Sequence, residues 1–425
     1  MEIPEFPQLQ HNLKTDVLII GGGLAGILCA HRLAKDGVGY ALIEADRICH
    51  GVTRNTTAKV TSQHGLIYGK LMREFCPEAA RKYWEVNEAA IKEYRKLANI
   101  VECDLESKDN YIYATGSANA LEKEMAALEQ LGIRSKFMQQ LPLLFPTAGA
   151  VCFPDQAQFN PLKLASGIVA GLNIYEQTAA RSFEGSTVLT DHGKITASKI
   201  IVATHFPILN KHGSYFLKMY QQRSYVLALD NAPQLDGMYL DAAENGLSFR
   251  NYGDLLLVGG GGHRTGKKGG GWAELQVFAG KYYPNAREVS RWATQDCMTL
   301  DGMPYIGQYS KRTPNLYVAT GFNKWGMTSS MVAAMVLGDL VQGRENPYAD
   351  IFSPSRTILR PQLFINGFEA VTNMLIPKKP RCPHMGCALK WNPQEHSWDC
   401  PCHGSRFAND GSLLNNPATG NLKNR

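Results

Sequence analysis

The chain has 425 residues, a formal net charge of +6, 44% hydrophobic and 19% charged residues, and 40 glycines. Its length exceeds one ordinary core and suggests two or three domains, and the glycine content favours an α/β protein rich in backbone-binding turns. The charge is spread without a long basic run, which argues against nucleic acid; the longest apolar stretch, Met331 to Val341, is about half a bilayer span, which argues against a transmembrane segment.

The first residues are acidic and contain proline, whereas an export signal starts basic and turns apolar, so a cytoplasmic protein is expected. Residues 15 to 47 then read TDVLIIGGGLAGILCAHRLAKDGVGYALIEADR. The apolar run Val17 to Ile20 predicts a buried strand, Gly21, Gly23 and Gly26 give G-x-G-x-x-G, and Leu24 to Leu33 carries helical periodicity. Gly21 allows the turn, Gly23 lets the backbone approach a pyrophosphate, and Gly26 lets helix and strand pack closely. A second strand ends at Glu44, whose carboxylate suits ribose hydroxyls and disfavours a 2′-phosphate. The cofactor is therefore FAD or NAD.

Residues 76 to 135 are mainly helical, with apolar positions at helical spacing over charged faces, and residues 223 to 262 run as strands. Arg250 and Tyr252 lie two apart on one strand and share a face. Each is either a substrate contact or a structural residue, Arg250 in a surface ion pair and Tyr252 capping the sheet; His64 has similar standing. Further on, NLYVAT predicts a short buried strand, Gly321 and Gly326 a flexible turn with Lys324 and Trp325 in it, and Thr328 or Ser329 a cap for the helix Met331 to Leu340. This is a second helix N-terminus aimed at a ligand.

These pieces, with GVTRNTTAKVT (51 to 61), KIIVATH (199 to 205) and LDGMPYIG (300 to 307), resemble in order the D-amino-acid-oxidase-like (DAO) flavoproteins over roughly residues 14 to 350. The resemblance implies FAD, held by Gly21, Gly23, Ala25, Gly26, Glu44, Gly51, Thr53, Thr57, Ala180, Ala203, Gly302, Gly321, Gly326, Met327 and Thr328. It implies an amine or amino-acid-like substrate met by Arg250, Tyr252 and Lys324. Some amino-acid-oxidising relatives place a basic residue near the start of the flavin helix, where this chain has Thr328. A simple amino acid is disfavoured accordingly.

Between Arg356 and Lys379, Phe364, Phe368, Val371 and Leu375 fall on one helical face, which predicts a linker helix packed on the flavin domain; the alternative is an in-plane membrane helix with Lys378 and Lys379 at its edge. Next comes Cys382-x-His384, fifteen residues, and Cys400-x-x-His403. Two Cys/His pairs on facing loops suit a [2Fe-2S] centre with mixed ligation, and they also suit tetrahedral zinc. The segments CPHMGC and CPCHGS closely resemble the Rieske pattern. That resemblance implies Cys382 and Cys400 on one iron, His384 and His403 on the other, and a disulfide between Cys387 and Cys402. It also implies a hydrogen bond from Ser405 to a cluster sulfur, while Phe407 stands where high-potential members often carry tyrosine, lowering the expected potential.

The expected fold is α/β: a Rossmann-type FAD-binding domain with an interleaved β-sheet and helical substrate domain, plus a small all-β Rieske-like C-terminal module. Residues 1–355 form the oxidoreductase, with FAD-binding segments at about 14–75, 145–215 and 300–350 and the substrate domain at about 76–144 and 216–299. Residues 356–379 are the linker helix and 380–425 an abridged Rieske module. The expected activity is FAD-dependent oxidation with electrons leaving through the cluster to a carrier of unknown identity. The alternatives are a redox sensor without turnover, a reductase with electrons running inward, and a flavoprotein with a structural zinc tail.

Overall fold

The computed structural model describes residues 3–377 and 379–423, so Lys378 lies outside the described residues. The strand Leu13–Ile20 runs parallel to Tyr40–Ile43 on one side and to Lys194–Val202 on the other. Leu316–Thr320 extends the sheet in parallel beyond Lys194–Val202, and Tyr305–Gln308 closes that edge antiparallel. Val17 to Ile20 are buried as a continuous run, as a parallel strand covered on both faces requires. The helices Leu24–Lys35 and Gly326–Leu340 pack against each other on one face of this sheet.

A second sheet of nine strands is mostly antiparallel and is ordered Arg287–Thr299, Met219–Asp230, Leu255–Arg264, Ser248–Tyr252, Gly237–Asp241, Glu106–Ala114, Gly149–Gln158 and Lys59–Val60, with Lys136–Met138 also paired to Gly149–Gln158. Gly149–Gln158, expected among the dinucleotide-binding segments, pairs in this sheet with the substrate-side strand Glu106–Ala114, and Lys59–Val60 pairs with Gly149–Gln158. The long helix Pro77–Ala98 buries Tyr83, Val86, Ala90, Ile91 and Tyr94 on one stripe, which ties it to the helix Gly326–Leu340.

At the C-terminal end, Lys390–Asn392, Ser397–Asp399, Arg406–Ala408 and Leu413–Asn415 form a four-stranded antiparallel sheet around Leu389, Phe407 and the cysteines. Helix Pro361–Leu375 precedes it. The expectation that Phe364, Phe368, Val371 and Leu375 pack inward is overturned: all four are exposed, and the buried residues of the helix are Asn366 and Asn373. The polar stripe is the one with partners. Arg264 Nη1 donates to Asn366 Oδ1 at 2.9 Å, and Ala388 N donates to the Asn373 carbonyl at 2.9 Å.

Candidate functional site

The turn after the first strand has the geometry of a phosphate cradle. Gly21 adopts φ +112°, and a Cβ there would meet the Ala203 carbonyl oxygen at 2.5 Å; a Cβ on Gly26 would lie 1.9 Å from the Gly21 oxygen. Only glycine fits at either place. Thr53 Oγ1 accepts the Leu24 N–H at 3.0 Å, which brings the segment after the second strand over the helix start. Glu44 takes the Gly22 N–H at 2.6 Å and the Asp46 N–H at 3.0 Å, one on each carboxylate oxygen. Each oxygen keeps a lone pair for a ribose hydroxyl. Ala180 lies half-buried after the strand Ile174–Tyr175, in the segment where the Thr178 N–H bonds the Glu44 carbonyl. Gly51 is exposed ahead of the short turn Val52–Asn55.

A cavity of about 550 Å³ opens from this region and lies under the second sheet. Its walls include Thr57, Lys59, His64, Gly302, Lys324, Trp325, Gly326 and Met327, and also Gln222, Glu244 and Asp296, of which the two carboxylates act on the Lys324 charge. A larger hollow of about 710 Å³ between Glu122 and Phe137 is open to the surface and holds none of the expected motif residues. The helix over the cavity begins at Gly326 without a side-chain cap, so neither Thr328 nor Ser329 caps it. Thr328 Oγ1 instead donates to the Thr61 carbonyl and accepts the Thr61 N–H, at 2.9 and 3.1 Å. Asn323 and Lys324 both have positive φ, and Gly321 has φ +70°. The Asn323 side chain holds this turn: Oδ1 accepts the Thr299 N–H at 2.8 Å and Nδ2 donates to the Gly321 carbonyl at 2.7 Å.

Of the three substrate-contact candidates, only Lys324 lines the cavity. Arg250 is buried rather than in a surface ion pair, stacked 5.8 Å from the Tyr252 ring centroid, and burial pushes its guanidinium down to about 10. Tyr252 donates its hydroxyl to Asp104 at 2.9 Å and accepts from Asn160 at 2.8 Å, a tie between segments. His64 stacks on Trp325 at 4.7 Å and bonds Tyr83 through Nδ1 at 2.5 Å, and its buried Nε2 has no partner.

Two cavity groups were not legible in the sequence. Burial, opposed by the charges of Lys324 and Arg223, raises the Asp296 carboxyl to about 6. Burial, reinforced by Arg250, lowers the Lys59 ammonium to about 7. Their only sequence signal is a charge inside a strand pattern.

At the other end, the rings of His384 and His403 lie 4.9 Å apart, and both Nδ1 atoms are buried without a partner. Hydrogen bonds from Cys400 and Ser405 pull the Cys382 thiol down to about 7 against its burial. Two thiols in contact and two imidazole nitrogens left unpaired are the donor set a mixed-ligand [2Fe-2S] cluster needs, so Cys382, Cys400, His384 and His403 fit that group. Cys387 and Cys402 are joined as a disulfide that spans fifteen positions, and both are buried. Their sulfurs lie near Cys400, but a disulfide offers no thiolate to a metal.

The cluster loops and the cavity are separated by one layer of sheet. Gln222 and Asp296 are cross-strand partners whose side chains line the cavity. Their neighbours face the opposite way, as strand alternation requires. Gln221 Nε2 donates to the His403 carbonyl at 2.7 Å and Gln295 Nε2 to the Gly404 carbonyl at 2.8 Å. Gly404 has φ +86°, and a Cβ on it would meet Gln221 Cβ at 2.6 Å. Arg264 adds bonds to the carbonyls of Pro401 and Cys402, Arg223 pairs with Glu395, and Phe206 packs against both cluster histidines with centroids 6.4 Å away. The histidine edge of the cluster site is thus turned toward the cavity domain.

A family model described as FAD dependent oxidoreductase (DAO) matches residues 16–340, and one described as Rieske [2Fe-2S] domain matches residues 369–425. The second match takes in part of the helix Pro361–Leu375. YhfW of Bacillus subtilis (strain 168), assigned by its name to the Rieske 2Fe-2S iron-sulfur proteins, is 36% identical over 99% of this chain and 95% of its own. Gamma-glutamylputrescine oxidoreductase of Escherichia coli (strain K12) is 23% identical over 80% of this chain and 86% of its own. The fold is similar to that of glycine oxidase from Geobacillus kaustophilus, with TM-score 0.68, 21% identity, and coverage of 82% of this chain and 100% of that one. The chain belongs to the DAO family of FAD-dependent oxidoreductases and carries a C-terminal Rieske domain, an enzyme whose cofactors are FAD and a [2Fe-2S] cluster.

Proposed function

We propose that this enzyme oxidises a small amine or amino-acid-like substrate at a carbon next to nitrogen and passes the electrons through its iron-sulfur site to a separate carrier in the cytoplasm. The observation that carries this reading is the shared sheet: Gln222 and Asp296 face the cavity while Gln221 and Gln295 hold the cluster loop. When bound, FAD supplies hydride acceptance and the cluster supplies one-electron transfer. The chain's own residues do the rest.

The glycine-rich turn, Thr53 and Glu44 would hold the dinucleotide. Gly326 and Met327 put the positive end of a helix against the cavity, where negative charge is stabilised. Lys324 places an ammonium beside the same space, and Asp296 and Glu244 lie close enough to act on its charge, carboxylates that an amine can meet. The names of glycine oxidase and gamma-glutamylputrescine oxidoreductase support a substrate carbon next to nitrogen. Arg250 and Tyr252 are retained only as supports of the sheet.

Anaerobic addition of amines and amino acids to the holoprotein tests this. The flavin absorbance should bleach first and the cluster signal should follow. A bleached flavin beside a permanently oxidised cluster would overturn the electron path, and failure of every amine and amino acid to bleach the flavin would overturn the substrate class.

A further inference from the structure

Helix Pro361–Leu375 turns its polar stripe to the protein and its apolar stripe to solvent. Phe364, Phe368 and Leu375 are 73%, 69% and 76% exposed, with Ile365, Val371 and Met374 also exposed. This orientation is fixed by bonds on the other side. Asn366 takes Arg264, Asn373 takes Ala388 through its carbonyl, and Glu369 pairs with Lys267 at 2.6 Å. Rotating the helix to bury the phenylalanines would break all three. Contiguous exposed apolar surface of this kind marks an interaction site.

The charges around the ridge indicate what it meets. Between Arg356 and Arg381 the sequence holds a single acid, Glu369, and that one faces inward. Arg356 and Arg360, ahead of the helix, are neutralised by Asp301 and Glu74, so the basic segment that counts is the one after it, which reads Lys378, Lys379, Pro380, Arg381 in the sequence. Arg381 is exposed and donates to the carbonyls of Met374 and Ile376 at 2.9 and 2.7 Å, which fixes a cation at the helix C-terminus. The large side chains stand about three-quarters exposed, a ridge without walls. A protein partner would need a matching groove, whereas a bilayer deforms around a ridge. Among the described residues no helix is long and apolar enough to cross a membrane, so contact would be with its surface.

We propose that this helix seats the enzyme on the surface of an anionic lipid bilayer, with the apolar ridge in the acyl boundary and the basic segment at its C-terminal end, Arg381 first, among the headgroups. The cluster module would then lie against the membrane, since the Glu369 carbonyl approaches Cys402 Sγ at 3.9 Å from the same helix. The inference is independent of which substrate is oxidised.

Flotation of the full-length holoprotein tests it, with vesicles of phosphatidylcholine and phosphatidylglycerol in equal parts and of phosphatidylcholine alone. The protein should float with the mixed vesicles, and less so as salt rises. The triple variant Phe364→Ser, Phe368→Ser, Leu375→Ser should partition about tenfold more weakly while keeping its flavin and cluster absorbance, because only exposed side chains change. If that variant loses its cofactors, Phe368→Trp serves instead: its added fluorescence should be quenched by brominated lipid in mixed vesicles. A wild-type protein that stays at the bottom with both vesicle types would overturn the proposal. So would added fluorescence of the Phe368→Trp variant that brominated lipid leaves unquenched, undiminished flotation of a cofactor-loaded triple variant, or a vesicle-free dimer that the triple variant turns into a monomer.

Discussion

Gln221 donates its amide N–H to the His403 carbonyl at 2.7 Å, so a strand residue of the cavity sheet is bonded to the backbone of an expected iron ligand. The same amide lies 3.1 Å from the Asn416 carbonyl. Gln221→Ala removes the donor from two acceptors, and a buried acceptor left unsatisfied costs about 1–3 kcal/mol. The variant should lose about that much unfolding free energy in urea. In stopped-flow measurements it should show unchanged flavin reduction and slower cluster reduction; equal rates at both steps would show that the bond has no part in coupling the sites.

The Asp296 carboxyl is raised to about 6, so it is neutral in acid and charged above that pH. If it holds a cationic amine, kcat/KM should rise as pH passes through about 6, and Asp296→Asn should flatten that limb and raise KM about tenfold or more. A limb that persists unchanged in the variant would assign the ionisation to another group.

Lys59 gives a stability signature. Its pKa falls from the ordinary 10.5 to about 7, because burial and Arg250 disfavour the charged form. Between those values the unfolded chain holds a proton that the folded chain has released, so stability should rise with pH through this window, by at most about 1.4 kcal/mol per unit. Lys59→Met should remove that slope, as read from urea midpoints at the two ends of the window.

Ser405 is buried, accepts the Ala418 N–H at 3.0 Å and hydrogen bonds toward Cys382. Ser405→Ala should lower the midpoint potential of the cluster. Phe407, fully buried in the module core, offers no hydroxyl, and Phe407→Tyr should raise the potential if the added group reaches the cluster. Redox titration followed by electron paramagnetic resonance checks both directions.

The Cys387–Cys402 disulfide closes a loop of fifteen residues, and a loop of that size contributes about 3 kcal/mol in the chain-entropy account. Replacing both with serine should lower the stability of the cluster module by about that amount. Loss of cluster absorbance at lower urea, with flavin absorbance retained, is the expected observation.

The glycine turn was readable because local geometry dictates most of it: Gly21 adopts φ +112° and a Cβ on Gly26 would strike the Gly21 oxygen, both written within a few residues of Gly23, whereas the close approach of Ala203 to Gly21 comes from a distant strand. The cysteine and histidine spacing was readable for the same reason. Helix Pro361–Leu375 shows the limit. Periodicity identified which residues share a face, but the direction of that face is set by Arg264 and Ala388, distant or later in the chain. Asp296 and Lys59 escaped notice because their character comes from burial, which arises only when the second sheet closes over the cavity. Arg250 and Tyr252 were correctly placed on one strand, yet strand alternation does not reveal that Asp104 and Asn160 already occupy the tyrosine hydroxyl.

Four side chains, Gln221, Arg223, Arg264 and Gln295, clamp the cluster module to the sheet. A module held in this way has no room to swing between a flavin-near and a carrier-near position. Traffic between the two centres should therefore be a hop over a fixed gap, indifferent to solvent viscosity. Thickening the medium with glycerol should slow only the encounter with the outside carrier.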